Sequence, residues 1–157
     1  MRKRIMNQEA DGVLDEGKNW LDLEGLAQAE VTSEDGAHPI ESALITNTGS
    51  GWRAAQPGKQ AVRLLFDKPQ KIRSIRLVFQ EDEQERTQEF VLRWSSDGGQ
   101  SYRDIARQQY NFSPSGSNWE LEDYSVDLIG VTTLELTIIP DISREPAHAS
   151  LAQLRLE

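Results

Sequence analysis

The side chains able to carry out chemistry are few in this sequence. It has no cysteine, which removes thiolate nucleophiles, cysteine-based zinc sites and disulfides. Its two histidines, His38 and His148, lie far apart and have no partner at a ligand or triad spacing. A loop or surface position is the plainer reading of both. Carboxylate chemistry is what remains. Glu81 and Glu89 can be posed as a glycosidase pair, which needs carboxyl groups about 5–10 Å apart in a pocket. Nothing in the pattern builds that pocket, and the chain reads as a non-enzyme.

Binding chemistry is better represented. Trp52-Arg53 follows a polar, glycine-bearing stretch, residues 46–51. An indole beside a guanidinium suits a sugar, whose C–H faces stack while its hydroxyls take directional hydrogen bonds. The same pair also reads as a core tryptophan and a surface arginine. Arg86 closes an acidic run, Glu81-Asp82-Glu83-Gln84-Glu85. Its planar fork of donors fits hydroxyls, carboxylates or phosphates, while an ion pair with Glu81, Glu83 or Glu89 is the favoured reading. The run itself reads as a solvated charged connection, with a metal or a basic partner as the alternative. Tyr110, Phe112 and Trp119 place three aromatics in one stretch with Pro114 and Gly116. They either cap one end of the fold or form a binding surface.

These residues need elements to position them. Residues 72–99 organise the rest. Ile75, Leu77 and Phe79 alternate with polar or outward residues, and so do Phe90, Leu92 and Trp94. Alternation at every second position puts one face of a strand on a core, so Trp94 is expected there. Ser96-Asp97-Gly98-Gly99 predicts a tight hairpin, because glycine accepts positive φ without steric cost. Further strands are expected over residues 26–32, 60–66 and 102–109, around Tyr124, Val126 and Leu128, around Leu134, Leu136 and Ile138, and around Ala152, Leu154 and Leu156. Asp67-Lys68-Pro69 is expected to end the second of these, since proline cannot donate to a ladder. His38 to Leu44 predicts one helical turn, with Pro39 near its start. Residues 110–120 are expected to be an irregular loop.

The pattern is all-β, a sandwich or barrel of about eight short strands. Residues 1–18 are polar and aperiodic and read as a flexible leader. Residues 19–157 read as a single domain, with Trp20, Leu21 and Leu23 clamping the chain onto it. The formal net charge of −9, with 26 acidic against 17 basic residues, argues against general nucleic-acid binding, which needs a basic face. The opening Met1-Arg-Lys-Arg-Ile is followed by no apolar segment, and no run approaches the ~20 apolar residues of a membrane span. The expectation is a soluble cytoplasmic protein with neither nucleic-acid nor membrane partners.

In order along the chain, Gly51-Trp52, Leu65-Phe66-Asp67, Ile72-Arg73-Ser74-Ile75-Arg76-Leu77, the segment from Phe90 to Gly99 with Tyr102 beyond it, and the closing Ala149-Ser150-Leu151-Ala152-Gln153-Leu154 resemble the galactose-binding-like, or discoidin (coagulation factor V/VIII type C), domain family. The HPIESAL, RTQEFVLRWSSDGG and ASLAQLRL stretches further resemble small bacterial proteins described as carbohydrate-binding. The resemblance implies a jelly-roll β-sandwich of antiparallel strands. It implies a non-catalytic binding module taking carbohydrate through loops at one end, with His38, Glu41, Trp52, Arg53, Arg86, Tyr110 and Trp119 as the candidate set. The alternative is an intracellular protein–protein interaction adaptor on the same fold. Many members hold a structural calcium with an Asp-Gly turn before the first tryptophan and a glutamate in the closing strand. Here Thr46-Asn47-Thr48-Gly49 and Gln153 stand in those places. Fewer carboxylates weaken Ca²⁺ binding, so no cofactor is expected.

Overall fold

A computed structural model describes residues 19–45 and 51–157. The expected leader, residues 1–18, lies outside the described residues. After a short helix α1 (Leu23–Leu26) come β1 (Ala27–Val31), a helical turn α2 (Glu41–Leu44), β2 (Trp52–Pro57), β3 (Gln60–Gln80), β4 (Arg86–Ser95), β5 (Arg103–Phe112), β6 (Trp119–Ile139), β7 (His148–Leu151) and β8 (Gln153–Leu156). The all-β class and the single turn of helix after Pro39 agree with the sequence reading.

Two strands do most of the organising. β3 and β6 each run 21 residues and pair antiparallel along most of their length, with register shifts between Leu65 and Ser74 of β3. Before the shifts, β3 lies between β1 and β6, and β6 continues the sheet to β4 and β5. After them, β3 lies between β6 and β8. The shifts also change which face is inward. Val62, Leu64 and Phe66 are buried in the first half, and Ile75, Leu77 and Phe79 in the second. Phe66 and Ile75 are nine positions apart, and an odd separation puts two residues on opposite faces of one strand, so the two halves belong to opposite layers of a sandwich. Phe79 stacks on Phe90 of β4 at 5.2 Å between ring centroids, closing the core between layers. β2 and β7 form a separate two-stranded sheet.

Several expected boundaries shift for this reason. Pro69 does not end a strand. It sits inside β3 between Leu65 and Gln70, where the pairing to β6 lapses and no ladder hydrogen bond is demanded of it. The two strands expected around Val126 and Leu136 are one strand, β6, kinked at Gly130, whose φ of 76° lies in the left-handed region that favours glycine. The single closing strand is instead two, β7 and β8, separated at Ala152. The expected irregular loop shrinks to residues 113–118, because Tyr110 and Phe112 belong to β5 and Trp119 to β6. The Asp97 connection spans residues 96–102 rather than a two-residue hairpin. The Asp97 carboxylate accepts the Ser101 N–H at 2.9 Å and the Ser95 hydroxyl at 2.6 Å. Trp94 is half-buried against the core rather than within it, and Arg103 lies 5.7 Å from its ring.

Two further contacts fix the layers. At the chain's first described turn, the Leu21 N–H donates to the Leu156 carbonyl at 2.7 Å, and Arg76 lies 5.2 Å from the Trp20 ring. This is the clamp expected of Trp20 to Leu23. On the outer face of the larger layer, Glu30, Arg63, Glu135 and Arg93 stand directly opposite one another on β1, β3, β6 and β4. Arg63 Nε donates to Glu135 at 2.7 Å, and Arg93 Nη2 donates to its other oxygen. Burial works to raise the pKa of Glu135, which is 4% exposed, but the two arginines outweigh it and hold the carboxyl below its usual value.

A group whose folded pKa is depressed contributes stability above its unfolded pKa and loses it as pH falls through the folded value. Glu135→Gln is therefore expected to lower stability at neutral pH by about 1–3 kcal/mol, the cost of losing a buried carboxylate's pairing with two partly exposed arginines. The difference from the parent protein should shrink as pH falls below 4.5, the ordinary glutamate value. Denaturant titrations at a series of pH values measure both.

Candidate functional site

Strand alternation at β2 decides the site. Trp52 and Ala54 point inward and are 1% exposed. Arg53 between them points outward, paired with Ser150 of β7. Trp52 therefore presents no ring face to solvent. Its indole N–H donates to the Ser33 carbonyl at 3.1 Å, and of the two readings of this residue the structure takes the core one. Gly51 before it has φ of 90°, and a Cβ there would stand 2.5 Å from the Leu151 carbonyl oxygen. Only glycine lets the chain enter β2 so close to β7.

Arg53 instead lines a shallow groove of about 190 Å³ with His38, Gln80, Glu81, Asp82, Glu83 and Ser150, and the edge of Trp52. His38 is brought there by a local bridge: its backbone carbonyl accepts the Arg53 N–H at 3.1 Å, and the Arg53 carbonyl accepts the Asp35 N–H at 2.8 Å. His38 Nδ1 lies 3.2 Å from Asp35 Oδ2. The Ala37 N–H, and then His38, hold the Asp35 carboxyl below its ordinary value. The opposite wall is the acidic connection between β3 and β4. Asp82 accepts hydrogen bonds from Gln80 Nε2 at 3.1 Å and Asn118 Nδ2 at 3.1 Å. Glu83 lies 3.9 Å from Arg53 Nη2 and is itself largely exposed.

Arg86 lies behind this wall rather than in it. It is 3% exposed. Its Nε is 3.3 Å from Glu81, its Nη1 donates to the Pro140 carbonyl at 2.7 Å, and its guanidinium lies 5.2 Å from the Phe112 ring. Burial pulls its pKa down and Glu81 opposes that. Of the ion pairs expected for Arg86, the one to Glu81 forms. Burial removes its fork from direct contact with a ligand and makes it the anchor of the acidic wall. Among the described residues, the buried pair leaves Arg86 Nε and Nη2 without a hydrogen bond.

Tyr110 and Trp119 flank the groove from the β5–β6 side. Trp119 stands directly across the ladder from Gln80 and is 49% exposed. The Tyr110 hydroxyl donates to the Trp119 carbonyl at 2.8 Å. Asn118, the preceding residue, carries the contact to Asp82. Glu41 is not part of this set. It borders a separate apolar hollow of about 250 Å³ with Leu23, Ile40 and Leu44. The structure thus gathers His38 and Arg53 in the groove, while Trp119 stands outside its lining, across the ladder from Gln80. It places Arg86 and Tyr110 as supports and Trp52 in the core.

Sequence reasoning missed Gln80, Asp82 and Ser150, which are ordinary polar residues in their own segments and meet only because β2, β3 and β7 share one end of the sandwich. It also missed Glu120. This residue lies on the inward face of β6, 3% exposed, and no hydrogen-bond donor reaches either of its oxygens. The first half of β6 pairs with β3 on one side and, among the described residues, with no strand on the other. An inward acid on such an edge discourages pairing with a second chain.

Among the described residues no group of three or more His, Asp and Glu is arranged to hold a metal ion. The Thr46-Asn47-Thr48-Gly49 turn considered for calcium lies outside the described residues. Gln153 offers a neutral amide, and Arg155, two residues on, brings a buried guanidinium that donates to the Ala43 carbonyl at 2.8 Å.

The sequence pattern of the F5/8 type C domain matches residues 28–133. No curated protein matches the chain in sequence. Among solved structures, the family 32 CBM of Clostridium perfringens NanJ in complex with galactose superposes with a TM-score of 0.64 at 16% identity, covering 87% of this chain and 96% of that one. A second family 32 CBM from Clostridium perfringens, in complex with GalNAc-β-1,3-galactose, has a TM-score of 0.62 at 19% identity, covering 88% and 99%. The family 32 CBM of AlyQ in complex with 4,5-unsaturated mannuronic acid has a TM-score of 0.58 at 16% identity, covering 89% and 98%. At these identities the likeness is one of fold.

Burial first, and then the neighbouring Glu122 carboxylate, push the pKa of Glu120 from 4.5 up to about 8. Between those values the folded chain binds a proton that the unfolded chain has released, so stability falls as pH rises across that window. Glu120→Gln should flatten this slope and stabilise the protein at pH 8 and above, by about 1–3 kcal/mol, because the amide removes the buried charge while leaving a polar group in place. Thermal unfolding across the window checks it.

Proposed function

The chain belongs to the F5/8 type C domain family, and on that premise we propose that it is a non-catalytic carbohydrate-binding module whose ligand enters the groove between β2, β7 and the β3–β4 connection. The observation that carries the reading is the convergence of His38, Arg53, Gln80, Asp82 and Ser150 on one shallow, open surface. Two of these offer donors through nitrogen, one a carboxylate, and two a mixed donor and acceptor. That mixture matches sugar hydroxyls, each of which donates once and accepts twice. The half-exposed Trp119 beside it supplies the apolar face that sugar C–H groups need. The groove is wide and shallow, which suits a single residue or chain end of a glycan better than a substrate enclosed for reaction.

The neighbours with bound galactose and GalNAc-β-1,3-galactose support the ligand class. Non-catalytic action is supported by the groove's chemistry: its carboxylates are bound up with Arg86, Arg53, Gln80 and Asn118, leaving no paired acid and base over one empty volume. A cytoplasmic setting, supported by the absence of cysteine, remains part of the proposal.

Titrating isotope-labelled full-length protein with D-galactose and N-acetyl-D-galactosamine, followed by NMR, should move amides at Asp35, His38, Arg53, Gln80 to Glu83 and Ser150 and leave the opposite end unchanged. His38→Ala and Arg53→Ala should each weaken binding at least about tenfold, the loss of roughly one good hydrogen-bonding partner. Their melting temperatures should stay close to the parent's. Silence across the panel, or shifts confined to another surface, would overturn the reading.

A further inference from the structure

The charges in the groove are unevenly matched. Glu81 is answered by the buried guanidinium of Arg86 at 3.3 Å. Arg53 and Glu83 face each other at 3.9 Å. Asp82 has two partners, Gln80 Nε2 and Asn118 Nδ2, and both are neutral amides. They fix the carboxylate in place without cancelling its charge. His38 shares its ring nitrogen with Asp35. Among the described residues no cation is paired with the Asp82 carboxylate, and the lining Arg53 is already engaged by Glu83.

Trp119 is tied to this carboxylate through the two residues that hold it. It stands across the ladder from Gln80, which holds Asp82 from one side. It follows Asn118, which holds Asp82 from the other. The Glu81 N–H also donates to the Asn118 carbonyl at 3.0 Å, so the acidic wall and the tryptophan's strand are tied by backbone as well as side chain. An exposed indole next to an unopposed carboxylate attracts a cation carried on an apolar frame: the ring through its quadrupole and C–H contacts, the carboxylate through charge. The same arrangement repels an anion, and the protein's net charge of −9 adds to that at low salt.

We propose that the groove selects sugars carrying a free amino group over their neutral counterparts and rejects uronic acids, with the sugar ammonium at Asp82 and Glu83 and a C–H face against Trp119. This rests on the carbohydrate-binding reading above. A sugar amine is protonated at about pH 6, below the ordinary range of an α-amino group, so the preference is strongest there. It weakens as salt screens the exposed carboxylates.

Calorimetric or NMR titration at about pH 6 with D-galactosamine, D-galactose and D-galacturonic acid tests it on the intact chain. Galactosamine should bind at least about fivefold more tightly than galactose, and galacturonate at least about fivefold more weakly, a spacing of the size expected for one partly exposed charge contact. Asp82→Asn and Glu83→Gln should each drive the galactosamine-to-galactose ratio toward one, and so should added salt. Trp119→Ala should weaken every sugar that binds. Galactose binding with a ratio of one or less, or galacturonate binding as tightly as galactose, overturns the preference and leaves the carbohydrate reading standing. Silence from all three sugars overturns both. Acetyl-lysine amide bearing a free ε-amine is the control: if it competes as well as galactosamine, the groove reads an amine alone and the sugar proposal is overturned.

Discussion

The structure depends on two strands that pair with each other on both sides of their passage from one layer of the sandwich to the other. β3 and β6 could each have been two strands joined by a loop. Keeping them continuous holds both halves of the pair together across the stretch where the ladder lapses and forces the reversal of side-chain phase to occur within the pair. Everything else is hung from that reversal. Phe79 meets Phe90 because the second half of β3 has turned its odd-numbered residues inward. Gln80 then faces outward at the end of the same run, where it can line the groove and meet Trp119 across the ladder.

The groove inherits its geometry from this frame and its charge from one buried pair. Arg86 and Glu81 are taken out of water together, and such a pair is costly unless its geometry is nearly complete. Here the Pro140 carbonyl and the Phe112 ring complete it only in part, since Arg86 Nε and Nη2 form no hydrogen bond among the described residues. The effect is to pin the root of an acidic connection that would otherwise be a mobile run of like charges. Asp82 and Glu83 are thereby presented at fixed positions opposite Arg53 and His38. A buried arginine thus shapes a binding surface that it does not touch.

The two buried acids show how strongly context sets the behaviour of one residue type. Glu135 sits between two arginines and is held ionised. Glu120, equally buried on the same strand, has no donor on its oxygens and is pushed toward its neutral form. Both lie on β6, on opposite faces and in opposite halves. The first joins four strands through side chains. The second guards an edge that has no strand beside it.

The sequence by itself determined the class of the fold, because alternation of apolar residues is a local property that the strand repeat makes legible. Phe90, Leu92, Ile75 and Leu77 were readable as core, and His38 to Leu44 as a helical turn. It also determined what the chain lacks: thiols, and a pair of histidines at ligand or triad spacing. It left Trp52 balanced between core and surface, because a tryptophan's neighbours in sequence do not say which side of β2 meets the other layer. Only the tertiary structure decided that Trp52 is inward and Arg53 outward, that Arg86 lies behind its acidic loop, and that Gln80, Ser150 and Trp119 join His38 at one end. Those outcomes turn on where β3 and β6 shift register, and a shift of register is fixed by the partner strand rather than by the segment that carries it.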